Sequence, residues 1–213
     1  MKAKKVIFID RDGVINKDPG GWTEYSYITK WKDFHFLPGA KTAVRRLNRA
    51  GYDIVIISNQ AGVSKGFYTK AALRHINKRM LEEIRKSGGT IRRAYYCVHQ
   101  KSDNCGCRKP ETGLFRQAER DLGVKAAEAY FIGDGQMDVE AGRKARMKTV
   151  LVLSGKSKVD DIEDWKARPD LIFRDLGQAV NFILKETYEK DTDSICHRRH
   201  RPQEGLYCGK ESA

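Results

Sequence analysis

The sequence predicts an α/β protein built on a doubly wound parallel sheet. Short apolar, β-branched runs alternate along the chain with longer segments of helical periodicity, the pattern of strands joined by crossover helices. Several of the runs are apolar throughout, as strands covered on both faces are. Three of the runs end in polar clusters: Asp10 and Asp12, Ser58 and Asn59, Asp134 and Asp138. In such sheets ligands bind outside the carboxyl ends of the strands, so this recurrence points to one site.

The elements follow in order. Residues 6–9 form a short strand that breaks at Asp10-Arg11-Asp12-Gly13. A helix is predicted over 38–51, with Pro38 at its start, Ala43, Val44, Leu47 and Ala50 on one face, and Gly51 as the stop. Residues 52–57 make a second strand, ending at Ser58-Asn59-Gln60. Leu73, Ile76, Met80, Leu81 and Ile84 recur at helical spacing within 69–86, and Gly88-Gly89 follow. The remaining expectations are a strand over 91–98, a helix over 113–122, a strand over 129–132 running into Gly133-Asp134, a helix over 139–145 and a strand over 149–153. Residues 171–173 and a helix over 176–184 finish a domain assigned to 1–188. Beyond it charge dominates, and 189–213, with the basic Cys196-His197-Arg198-Arg199-His200-Arg201, is expected to be a poorly ordered tail.

A chain of 213 residues with 40% hydrophobic and 32% charged residues suits a globular protein. No apolar run is long enough to span a bilayer, and the N-terminal run stops too early for a secretory signal, so a cytoplasmic location and no membrane partner are expected. The formal net charge of +13 raises nucleic acid as a partner. Lys and Arg are spread along the chain instead of forming a block, which favours solubility and attraction of small anionic substrates. A monomer is expected.

Asp10 and Asp12 sit two residues apart just past a strand, so an extended chain points both carboxylates to one side. Like charges that close call for a cation, and a hard divalent ion with oxygen ligands suits them. A carboxylate can attack phosphorus to give an aspartyl-phosphate, and a second can act as acid and then base. Ser58 and Asn59 could donate to phosphate oxygens, Arg108 and Lys109 offer positive charge, and Asp134 with Asp138 add carboxylates for the ion. Each piece alone reads as an ordinary turn or as surface charge. Their joint occurrence, in this order and after strands, does not.

This pattern resembles the haloacid dehalogenase superfamily. Asp10-x-Asp12-Gly13-Val14 matches its first motif, Ser58 the second, Lys109 the third, and Gly133-Asp134 with Asp138 the fourth. The resemblance, over roughly residues 5 to 155, implies Asp10 as nucleophile and Asp12 as general acid/base. It implies Ser58 and Lys109 as holders of the phosphoryl group. Mg²⁺ would be bound by Asp10, the Asp12 carbonyl and Asp134, with Asp138 in support.

Cys97-x-His99-x5-Cys105-x-Cys107 supplies three thiolates and an imidazole within a short loop. That donor set fits tetrahedral Zn²⁺ with no open position, a structural site. The cluster runs directly into Arg108-Lys109-Pro110. This resembles the zinc-containing branch of heptose 1,7-bisphosphate and histidinol phosphatases, which shapes its site with this loop and not with a large cap domain. That branch implies a sugar phosphate substrate, the 7-phosphate of D-glycero-D-manno-heptose 1,7-bisphosphate first, histidinol phosphate second. It implies substrate contacts from Asp18, Gly20, Gly21, Ser58, Asn59, Gln60, Ala61, Arg108 and Lys109. The chain departs from the pattern at Ser58, where Thr is common, at Lys65, where Arg is frequent, and at Gly135, where a longer polar side chain is usual. The segment from Gly20 to Tyr27 is also longer, and its Trp22 and Tyr residues could stack on a sugar. A rival of another class is a zinc-stabilised basic domain that binds nucleic acid without catalysis; it leaves Asp10, Asp12, Asp134 and Asp138 without a role.

Overall fold

The structure, a computed structural model, describes residues 5–199, with side chains to residue 189. Six parallel strands form one sheet in the order β3-β2-β1-β4-β5-β6. They are β1 (Lys5–Ile9), β2 (Tyr52–Asn59), β3 (Arg93–Cys97), β4 (Tyr130–Gly133), β5 (Lys148–Val152) and β6 (Leu171–Phe173). The helices are α1 (Ala40–Arg49), α2 (Lys70–Lys86), α3 (Gly113–Leu122), α4 (Gln136–Lys144) and α5 (Leu176–Arg199).

Strand alternation divides the apolar side chains between two layers. Ile7, Ile9, Ile54 and Ile56 face a core closed by Val44 and Leu47 of α1, Ile76 and Met80 of α2, and Val180 and Ile183 of α5. Val6, Phe8, Val55 and Ile57 face the opposite way, against Leu114, Phe115 and Ala118 of α3 and Ala141 of α4. Phe115 meets Phe8 and Phe131 edge-on, with ring centroids 5.5 and 5.0 Å apart. Both faces are covered, so the doubly wound expectation holds.

Element ends differ from the sequence reading where capping decides them. Helix α1 starts at Ala40, not at Pro38, because Gly39 turns the chain with φ +77°. Helix α4 starts at Gln136, three residues before the expected Val139. There the Asp138 carboxylate accepts from the backbone N–H groups of Asp134 and Gly135 at 3.2 and 3.1 Å, satisfying donors that a helix start leaves open. Helix α5 extends past residue 184 to Arg199, so residues 189–199 of the expected tail carry helical backbone. Residues 200–213, including Cys208, lie outside the described residues, as does the Cys196 side chain.

Between β1 and α1 the chain forms no separate cap. Residues 10–39 hold a 3₁₀ turn, Trp31–Asp33, and isolated bridges from Asn16 to Asp12 and Phe36. Among the described residues no helix is long and apolar enough to cross a membrane.

Candidate active site

β1 and β4 are neighbours at the point where the strand order reverses, with Ile9 opposite Ile132. Both chains leave the sheet there. The Asp10 N–H donates to the Ile132 carbonyl at 2.8 Å, so Asp10 emerges beside Gly133-Asp134. Asp10, Asp134 and Asp138 are buried, and each offers a carboxylate oxygen within 4.8 Å of the others. Asp134 is 2% exposed. Burial pushes its carboxyl well above the usual carboxylate range, and the charges of Asp138 and Asp10 add to that. Burial also raises Asp10; Lys109 opposes this, while Asp138 and Asp12 reinforce it. Three acidic groups, crowded and desolvated, are the electrostatic signature of a divalent cation site with oxygen donors. Gly13 makes the approach feasible: it holds φ +77°, and a β-carbon there would overlap the Asp134 carboxylate.

Lys109 places an ammonium inside this cluster. It is 2% exposed and reaches Asp10 at 2.9 Å, Asp138 at 2.6 Å and the Ile57 carbonyl at 2.9 Å. Burial works against its charge, but Asp10 and Asp138 outweigh burial and raise its pKa. Its backbone is fixed by Asn59, whose side-chain amide donates to the Lys109 carbonyl at 3.1 Å and accepts from the Lys109 N–H at 3.0 Å. The Asn59 amide is therefore engaged in positioning Lys109, although the residue borders the cavity as expected of a substrate contact.

Asp12 sits in a separate network. Arg11, fully buried, donates to both of its carboxylate oxygens at 2.8 and 2.9 Å, Asn16 donates at 2.8 Å and Gln60 at 2.7 Å. The Gln60 carbonyl accepts from Arg11 at 3.1 Å and from the Tyr68 hydroxyl at 2.6 Å, and the Gln60 amide also reaches Ser58 at 3.2 Å. Burial lowers the Arg11 pKa, but the Asp12 carboxylate outweighs it and keeps the guanidinium charged. Gln60, expected at the substrate, thus serves as a brace between Asp12 and Ser58.

A polar cavity of about 180 Å³ joins the two networks. Asp10, Asp12, Asp18, Ser58, Asn59, Arg108, Lys109, Asp134 and Asp138 all border it. Gly20 borders a neighbouring cavity of about 400 Å³. Gly21 and the buried Ala61 border neither of these two cavities. Tyr27, Met137 and Lys156 also reach the reaction cavity. Lys156 was findable: it follows β5, and strand ends are where such sheets place function.

The cysteine loop hangs from the end of β3. Cys97, His99, Cys105 and Cys107 place four donor atoms within 4.8 Å of one another. The sulfur–sulfur distances are 3.2, 3.4 and 3.6 Å, and His99 Nδ1 lies 3.3 Å from Cys107 and 3.7 Å from Cys97. A tetrahedron of sulfurs ~2.3 Å from zinc has edges of about 3.8 Å, so the donors are already spaced for that ion and are far from disulfide contact. Arg108 donates back to the His99 carbonyl at 3.3 Å, tying this loop to the chain that carries Lys109.

Three buried carboxylates and an ammonium at the switch point of a doubly wound sheet define a metal-dependent enzyme site for an anionic substrate. The comparisons with known proteins agree. The HAD-hydrolase-like family model matches residues 106–179. A D-glycero-β-D-manno-heptose-1,7-bisphosphate 7-phosphatase of Pseudomonas aeruginosa is 33% identical over 183 residues, covering 86% of this chain and 99% of that protein. One from Chlorobaculum tepidum is 33% identical over 204 residues, covering 90% and 100%. The crystal structure of a D,D-heptose 1,7-bisphosphate phosphatase from B. bronchiseptica, complexed with magnesium and phosphate, superimposes with a TM-score of 0.77 at 28% identity, covering 85% of this chain and 99% of that one. The chain belongs to the haloacid dehalogenase-like hydrolases.

Proposed function

We propose that this protein is a Mg²⁺-dependent sugar-bisphosphate phosphatase that removes the 7-phosphate of D-glycero-D-manno-heptose 1,7-bisphosphate. The observation that carries the reading is the convergence of Asp10, Asp134, Asp138 and Lys109 on one small polar cavity. The relatives named above supply the substrate.

Asp10, the Asp12 carbonyl and Asp134 would hold Mg²⁺, which when bound supplies positive charge against the phosphoryl oxygens. Asp138 supports that set; its oxygens already meet Lys109 and the backbone N–H groups of Asp134 and Gly135. An Asp10 oxygen attacks phosphorus, the bond to the sugar oxygen breaks, and the phosphoryl group passes to Asp10 as an aspartyl-phosphate. Asp12 protonates the departing alkoxide and then takes a proton from the water that hydrolyses the intermediate. Lys109 and the Ser58 hydroxyl hold the phosphoryl oxygens as charge redistributes. Cys97, His99, Cys105 and Cys107 would hold Zn²⁺ as a structural ion, which when bound would fix the loop before Lys109. Zinc-ligating thiols survive in a reducing compartment, which supports the cytoplasm as the site of action.

The test is turnover with Mg²⁺ on heptose 1,7-bisphosphate, histidinol phosphate and 3′-phosphorylated DNA, in the native protein and in Asp10→Asn. The bisphosphate is expected to be the preferred substrate, and the variant to fold but lose turnover. Near-normal activity in Asp10→Asn would remove the covalent mechanism, and preference for histidinol phosphate or DNA would remove the sugar assignment.

A further inference from the structure

We propose that Lys156 is a specificity-determining residue that binds the second, unreacting phosphate of the substrate, where the reaction cavity opens into the cavity beside it. This rests on the bisphosphate reading above. The reaction cavity, at about 180 Å³, accommodates a phosphoryl group and little more, so the rest of a sugar bisphosphate must extend into a neighbouring space.

Two neighbours are available. The one on the zinc-loop side, about 620 Å³, shares Arg108 and Lys109 with the reaction cavity. Beyond those two, its charged walls are Lys101 against Glu140 and a Glu111 already paired with Lys144 at 2.7 Å, so they add no attraction for an anion. The other, about 400 Å³, shares Asp18 and Lys156 with the reaction cavity and adds Lys17 beside Trp22. Beyond the shared Asp18 and Lys156, its charged wall is Lys17 with no opposing carboxylate. The second space is therefore the one charged for a phosphate.

Lys156 stands at the junction of the two spaces, and its ammonium makes no hydrogen bond or ion pair among the described residues. Lys109, by contrast, already meets Asp10, Asp138 and the Ile57 carbonyl. The Lys156 backbone is anchored, donating to Asp134 Oδ2 at 3.0 Å. Its side chain takes the path it does because residue 135 is glycine: a β-carbon there would lie 2.8 Å from Lys156 Cε and 3.4 Å from Nζ.

The experiment compares kcat/KM for heptose 1,7-bisphosphate and heptose 7-phosphate, which share the reacting group and differ in the distal phosphate. Any effect of Lys156 on Asp134 alters both substrates and cancels in their ratio. Lys156→Ala is expected to reduce the preference for the bisphosphate at least tenfold, chiefly through KM. Lys156→Arg restores part of it, and Gly135→Ala, by displacing the lysine, lowers it. Lys101→Ala, on the zinc-loop side, leaves it intact. A preference that survives Lys156→Ala, or that falls in Lys101→Ala instead, overturns the proposal while leaving the bisphosphate reading standing. Native enzyme that treats both substrates alike overturns both.

Discussion

Replacing Lys109 with Met separates charge from volume at the centre of the site. Met fills nearly the same space, so no cavity opens, but the contacts to Asp10 at 2.9 Å, Asp138 at 2.6 Å and Ile57 at 2.9 Å are lost. The lysine is 2% exposed, and the Asp10 and Asp138 side chains are 12% and 6% exposed, so solvent screens the contacts weakly. Breaking a buried ion pair by removing one partner costs about 3–5 kcal/mol. Proton uptake by the abandoned carboxylates places the expected loss at the lower end, about 3 kcal/mol. For a chain of this size that lowers the melting temperature by ~6–12 °C. The assay is thermal unfolding in chelator, repeated with saturating Mg²⁺, which replaces part of the lost charge and narrows the difference. Turnover should fall by ~10²–10³-fold, as when a preorganised donor to developing charge is removed. A melting temperature within about 2 °C of the native protein in chelator would refute the view that Lys109 is what makes the buried carboxylates tolerable.

Two further outcomes are expected. Cys107→Ser removes one of four zinc donors two residues before Lys109, so zinc content by elemental analysis and phosphatase activity should fall together; full activity with reduced zinc would show that the loop does not position the lysine. Stabilisation by Mg²⁺ should grow with pH. Burial and like charge hold Asp134 and Asp10 above their unfolded values. Their contribution to the metal-free fold is therefore complete below the unfolded carboxylate pKa of ~3.9 and is lost as pH rises through the raised folded values. Calorimetry with and without Mg²⁺ across that range checks it, and an increment that shrinks as pH rises contradicts the assignment of these aspartates as ligands.

The strands were legible because burial on both faces leaves an unbroken apolar signature, as in Ile7, Phe8 and Ile9 or in Ile54 through Ile57. The candidate site was legible where function uses strand ends, at Asp10, Ser58 and Asp134, and where donor spacing is diagnostic, at Cys97, His99, Cys105 and Cys107. Other parts carry no local signal. Gln60 braces Asp12 across 48 residues of sequence, and Asn59 clasps Lys109 across 50, so neither could be told from a substrate contact. Helix α4 begins early because Asp138 caps it while also facing the site, a dual use that periodicity does not reveal. Lys156 has only its place after β5 to mark it, since Ser154-Gly155-Lys156 otherwise reads as an ordinary turn.

The pairing of Ile9 with Ile132 has a consequence for how this molecule can fail. Sliding β1 against β4 by a single residue would turn Phe8 and Ile9 each toward the wrong layer of helices, and would carry the nucleophile candidate away from its metal-binding neighbour in the same movement. The alignment that lets the chain bury its oily residues is the alignment that arms it. A population of well-folded but misassembled molecules is therefore not expected, and damage to this seam should appear as lost protein, not as a folded but idle enzyme.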